Sequence, residues 1–459
     1  MLVTRALALL FAALLPLTAR AEDELAARVA ALAKPAVDGS DVIGLVVGVV
    51  DGKGATRVFG FGRTALADPR APDGKTLFEI GSASKVFTSL LLADFVERKL
   101  VALDDPIRKY LPAGVQVPTH DGREITLAHL ATHSSGLPRM PANFAPKDPK
   151  NPYLDYTPEQ LYAFLSSYKL ARDPGAVYEY SNLGAGLLGH ILTLVGKQSY
   201  DALLRDRITG PLGMKSTKVT LSTDERARLA EGHDDAGRAV GPWDFAVLAG
   251  AGGIRSNAED LLIFLRAQLA QLRSPLSAAI ALTHVPRHDT EGVPGAIGLG
   301  WHVRDVGRTI WHNGQTAGFH SYLAFDPQKQ LGVVVLANSA AGVVDGIGYR
   351  LLRRLAGEPA PPTADPARPT VTLAPAQLDA LVGVYELSPS FAIEVKRVED
   401  HLTGQATGQP AFRLFPSSES HFFLRVVAAE IDFVKDASGA IVELVLHQNG
   451  HDQHGKRRR

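Results

Sequence analysis

The chain contains no cysteine. That excludes disulfides, thiolate metal ligands and a lipid on an N-terminal cysteine, so stability in an oxidising compartment has to come from packing. Charge of one sign is also missing: 48 Lys and Arg balance 48 Asp and Glu. No field favours nucleic acid or an acidic partner, and none is expected. Long apolar runs are confined to Ala6–Leu17, too short to span a bilayer. Arg5 precedes this run and Ala19-Arg20-Ala21 offers a small-x-small cleavage site, so residues 1–21 read as a secretory signal. The expectation is a periplasmic or secreted protein with no integral membrane segment after signal cleavage. No glycine-rich loop has phosphate-binding spacing, the triplet Gly184, Gly186 and Gly189 falling inside the helical run Leu183 to Val195, and a Gly-x-Ser-x-Gly elbow and His-Glu-x-x-His are absent. His129 and His133 stand four apart without a third ligand and read as capping and packing residues. Neither metal nor cofactor is expected.

What is present is enough chain for a large core: 459 residues, 46% of them hydrophobic. The apolar run Val42–Val50, the turn Asp51-Gly52-Lys53-Gly54 and Thr56–Gly60 predict a hairpin. Residues from Ser84 to about Leu272 read mostly as helices and loops. Strand patterns return at Ile297–Val303, Thr309–His312, Phe319–Phe325 and Leu331–Ala337, followed by a helix to Leu355. Strands at both ends of a helical middle predict an α+β fold, one antiparallel sheet flanked by helices beside an all-helical region. Residues 22–356 form this unit. Five prolines between 357 and 370 predict an extended linker. Short alternating runs over 371–459 predict a small all-β C-terminal domain, a barrel or curved sheet. Its last four residues, Lys456 to Arg459, read as a solvated basic tail.

Chemistry concentrates in Phe78-Glu79-Ile80-Gly81-Ser82-Ala83-Ser84-Lys85. Apolar residues at spacings of three and four from Val86 to Val96 predict a helix, which puts Ser82 and Lys85 on one face of its first turn. A serine hydroxyl needs a neighbour to take its proton, and a lysine can do so where burial lowers its pKa. A second Ser-x-x-Lys, Ser166 to Lys169, lies in a helical run and is assigned no role. Downstream stand Tyr180-Ser181-Asn182, after a Pro174-Gly175 turn, and His312-Asn313-Gly314 at a strand end. Another His-x-Gly, His120-Asp121-Gly122, falls out of order in a loop.

Serine-lysine, tyrosine-asparagine and basic-x-glycine, in that order, resemble the signatures of the penicillin-recognising serine hydrolases. The chain is similar to the class C β-lactamase and D-alanyl-D-alanine carboxypeptidase superfamily, which includes esterases and D-aminopeptidases. Ile125 to Pro138, Pro211-Leu212-Gly213-Met214 and Ala251 to Ser256 look like family phrases too. The resemblance covers residues 30–355 and implies an acyl-enzyme on Ser82, with Lys85 and Tyr180 moving its proton. It implies that Asn182, His312 and Gly314 bind substrate and that the backbone N–H groups of Ser82 and Gln315 form the oxyanion hole. Members usually carry lysine where this chain has His312, an imidazole mostly neutral above its ordinary pKa of about 6.5. The substrate is expected to be a small molecule or peptide: a β-lactam or D-alanyl peptide first, an ester or D-amino peptide as the alternative. A sensor that acylates and hydrolyses slowly is the reading from another class.

Overall fold

The computed structural model describes residues 23–290, 295–359, 370–388, 391–407, 411–424, 429–448 and 451–458. The expected signal and most of the expected linker lie outside the described residues. The first apolar run folds as the strand Gly44–Val50, buried at every position. It is continuous rather than alternating because both of its faces are covered. Val46 and Val50 pack into a core shared with the helix Ser84–Glu97, while Leu45, Val47 and Val49 pack against helices at 23–38 and Val343–Leu355. The result is a sheet between two helical layers, the expected α+β architecture.

The sheet has eight strands in the spatial order 56–62, 44–50, 331–337, 320–326, 309–315, 302–304, 296–297 and 288–289. Neighbours are antiparallel throughout. Strands from the two ends of the unit meet at its centre, where Val46 faces Leu336. The single strand expected at Ile297–Val303 is two short ones, Ala296–Ile297 and His302–Arg304. Gly300, at φ +73°, permits the tight turn between them, closed by the Gly298 N–H donating to the Trp301 carbonyl at 2.8 Å. The second Ser-x-x-Lys is broken by its own geometry. The helix Pro158–Ser167 ends with Tyr168 in extended backbone, so Lys169 leaves the face of Ser166.

Beyond residue 370, the helix Pro375–Leu381 leads into a closed barrel of eight strands, from Gly383–Ser388 to His451–Arg457. Each strand pairs with the next, and the last returns to the first with Tyr385 opposite Arg457. The basic terminus is therefore no solvated tail through Arg458. Lys456 and Arg457 belong to the closing strand, whose backbone bonds remove the barrel's edge. The Arg457 guanidinium donates to the Ile441 carbonyl at 3.2 Å and to that of Val382, and Arg458 pairs with Glu386. No helix among the described residues is long and apolar enough to cross a membrane.

Candidate active site

Three anchors hold the segment before Ser82. Phe78–Glu79 pairs with Arg255–Ser256, the Ile80 N–H donates to the Ile254 carbonyl at 3.1 Å, and the Ser321 hydroxyl donates to the Ile80 carbonyl at 2.8 Å. Gly81 then turns the chain at φ +49°, and one 3₁₀ turn, Gly81–Ala83, feeds the helix Ser84–Glu97. This leaves Ser82 half-exposed at the head of the helix and Lys85 buried one turn on, on the shared face expected from their spacing.

Lys85 Nζ lies 2.9 Å from Ser82 Oγ, 2.9 Å from Asn182 Oδ1 and 2.7 Å from the Ala251 carbonyl. Two of these partners can only accept. A neutral amine has two N–H bonds for them, which leaves its lone pair facing the serine hydroxyl. Electrostatics favours that state: burial pushes Lys85 well below its ordinary pKa, and the nearby Arg139 guanidinium adds to the effect.

Tyr180 stands beside the amine, its ring centroid 4.8 Å from Lys85 Nζ. Burial pushes its phenol up to about 12, against smaller lowering by the Ser82 hydroxyl and Arg139. Lysine is thus the group driven towards the neutral base and tyrosine the one that keeps its proton. His133 stacks on the Tyr180 ring at 4.3 Å and accepts the Ser181 N–H through Nδ1 at 3.1 Å. Its role is to position Tyr180, beyond the packing expected for it. His129 does cap, its Nδ1 accepting the Thr126 N–H at 3.1 Å. Ser181 is the cap of the next helix, its hydroxyl accepting the Gly184 N–H at 2.8 Å, so Asn182 is left free to face Lys85.

The third signature lies on the strand Thr309–Gln315. Gly314 sits so close to the nucleophile turn that a Cβ there would fall 1.9 Å from the Ile80 carbonyl oxygen and 2.7 Å from the Ser82 nitrogen. A Cβ on Gly81 would meet the Gln315 nitrogen at 2.6 Å. Two glycines therefore let the strand and the turn bring the Ser82 and Gln315 amides together, as a pair of donors to an oxyanion requires. His312 is fully buried, its Nδ1 paired with the Asn313 carbonyl at 2.5 Å while Nε2 has no partner among the described residues. Burial, His302 and Lys85 push its imidazole well below the ordinary pKa. It is an uncharged acceptor at neutral pH. The other His-x-Gly turns a small hairpin between Thr119–His120 and Arg123–Glu124.

All the candidate residues thus converge, and two further groups join them that the sequence reading left without a role. Arg139 follows directly on the family phrase that ends at Pro138, and Ala251 opens another. Only their contacts give them a part.

A half-exposed serine set against a dry amine, with two backbone donors alongside, is built for acyl transfer: the fold and site are those of a serine hydrolase. The chain belongs to the Beta-lactamase family, whose match spans residues 29–358. Residues 367–457 match a second family, described as a domain of unknown function (DUF3471). The D-alanyl-D-alanine-carboxypeptidase/endopeptidase AmpH of Escherichia coli is 34% identical over 315 residues, 65% of this chain and 80% of the relative. A β-lactamase of Pseudomonas fluorescens is 30% identical over 341 residues, 66% of this chain and 91% of the relative. A solved β-lactamase/D-alanine carboxypeptidase from Yersinia pestis superposes with a TM-score of 0.65 at 29% identity, covering 72% of this chain and 98% of that one.

Proposed function

We propose that this protein is an exported serine acyl hydrolase that cleaves amide bonds in D-alanyl peptides or β-lactams through an acyl-enzyme on Ser82. The observation that carries the reading is the three-way contact of Lys85. With its N–H bonds directed at Asn182 and Ala251, its lone pair can take the Ser82 proton as Oγ attacks the carbonyl carbon. Charge on the carbonyl oxygen is received by the N–H groups of Ser82 and Gln315. The proton then passes, through the Tyr180 phenol beside Lys85, to the leaving nitrogen as the C–N bond breaks. Water hydrolyses the Ser82 ester and restores the hydroxyl. Asn182 orients the substrate and the amine together.

The neutral imidazole of His312 favours a second reading, an esterase or D-aminopeptidase using the same residues, because it offers no cation to a carboxylate. The Ala6–Leu17 run and its flanks support export. Turnover of a chromogenic cephalosporin, a D-alanyl-D-alanine peptide and a p-nitrophenyl ester separates the readings. Cleavage of the cephalosporin or the peptide, abolished in Ser82→Ala, is the expected result. Turnover of the ester alone would place the protein on the esterase branch.

A further inference from the structure

An acyl-D-alanyl-D-alanine peptide or a β-lactam carries a carboxylate beside the bond that breaks, and the residues on the signature strand do not meet it with charge. His312 is buried with its proton on the Asn313 side, His302 stacks behind it on Trp311, and His133 is committed to Ser181. Lys85 is occupied by its three partners. A different cation lies at the mouth. The Arg139 guanidinium is exposed, 5.1 Å from the Tyr180 ring centroid, and has no acidic partner among the described residues. Its backbone is fixed by the site itself: the Asn182 and Leu183 N–H groups donate to the Arg139 carbonyl at 3.0 and 3.1 Å. Two other arginines of the helical region are paired, Arg172 with Glu179 and Arg255 with Glu79 and Asp244, and Arg304 lies against the Trp311 ring. A guanidinium stays charged at any working pH and presents a planar fork of donors matched to a carboxylate.

We propose that Arg139 is the carboxylate-binding residue of the site, receiving the terminal carboxylate of a D-alanyl-D-alanine substrate, or that of a β-lactam, from the Tyr180 side rather than from the Thr309–Gln315 strand. The proposal rests on the amide-hydrolysis reading above. It accounts for a free cation held over the catalytic tyrosine, and it reconciles a neutral His312 with an anionic substrate.

The test compares substrates that differ only in the charge: acyl-D-alanyl-D-alanine against its C-terminal amide, and acyl-D-alanyl-D-lactate against its methyl ester. Each is measured on the pH plateau of wild type, Arg139→Ala and Arg139→Lys. Arg139→Ala should lower kcat/KM for the free acids roughly 10- to 100-fold and for the neutral partners by no more than about twofold. Arg139→Lys should recover part of that loss, as a point charge without the fork. Among the described residues the Arg139 side chain makes no hydrogen bond or ion pair, so the variants are expected to fold, and the neutral substrates report this internally. Equal losses on charged and neutral substrates, or none, would overturn the proposal while leaving the hydrolase reading standing. If wild type cleaves the lactate pair but not the peptide pair, D-alanyl peptide hydrolysis fails and the ester ratio still decides Arg139. Turnover of neither pair leaves a cephalosporin and its carboxylate methyl ester to decide Arg139 in the same way, and turnover of none of these substrates would contradict both.

Discussion

Removing Lys85 from water penalises its ammonium form far more than its amine, and that difference sets the pH behaviour of the site. The folded pKa is depressed, so the base is present above it and lost as pH falls through it. Turnover of a neutral ester is therefore expected to fall on the acid side along a single limb, at a pH well under the ordinary lysine value. Arg139→Gln removes a cation that disfavours the ammonium, and the limb should move to higher pH. A limb that stays in place would mean that Arg139 does not act on Lys85. Much of this site is legible in sequence because Ser82 and Lys85 are three apart on one helix, a relation the local period fixes. Arg139, His133 and Ala251 are not legible in the same way. They reach Tyr180 and Lys85 only through long-range packing, and nothing in their own neighbourhood announces it.

The strand Thr309–Gln315 and the turn at Gly81 work as a pair, brought together by two positions without side chains. Gly314→Ala would push a methyl into the Ile80 carbonyl at 1.9 Å and force the two apart. The expected outcome is a loss of stability of about 1–3 kcal/mol together with a larger loss of kcat than of binding, read by thermal melting and steady-state kinetics. Unchanged kcat would show that the amides of Ser82 and Gln315 are not the oxyanion donors. The strands themselves are readable from apolar runs, and the Val42–Val50 hairpin appears close to its expected bounds. The split of Ile297–Val303 is not readable from hydrophobicity. Apolar residues continue through the turn, because Leu299 and Trp301 are buried in it.

The described residues pack into three hydrophobic cores, and the barrel's own, with Tyr385, Leu402, Phe422 and Leu444, shares no residue with the two that flank the sheet. An ion pair between Arg238 and Glu399 joins barrel to hydrolase, but both side chains are more than half exposed, so water and salt screen it and it couples the two parts weakly. Calorimetry should accordingly resolve two transitions. Leu444→Ala, emptying a fully buried site, should cost the barrel about 2–5 kcal/mol and leave the other transition and the turnover in place. A single transition that shifts as a whole would mean the two parts fold as one. At this scale the sequence reading located an all-β module after a proline-rich stretch but took the last residues for a tail. Barrel closure depends on register between strands some seventy residues apart, Tyr385 against Arg457, which no local pattern carries.

Turnover by the proposed route needs a covalent step on one serine, Ser82, assisted by one dry lysine, Lys85. Acid quenching during turnover of a cephalosporin, followed by mass spectrometry of the digested protein, tests it most directly. The expected result is an added acyl mass on the peptide carrying Ser82, absent in Ser82→Ala, and forming far more slowly in Lys85→Ala. An adduct on another residue, or full turnover by Ser82→Ala, would contradict it.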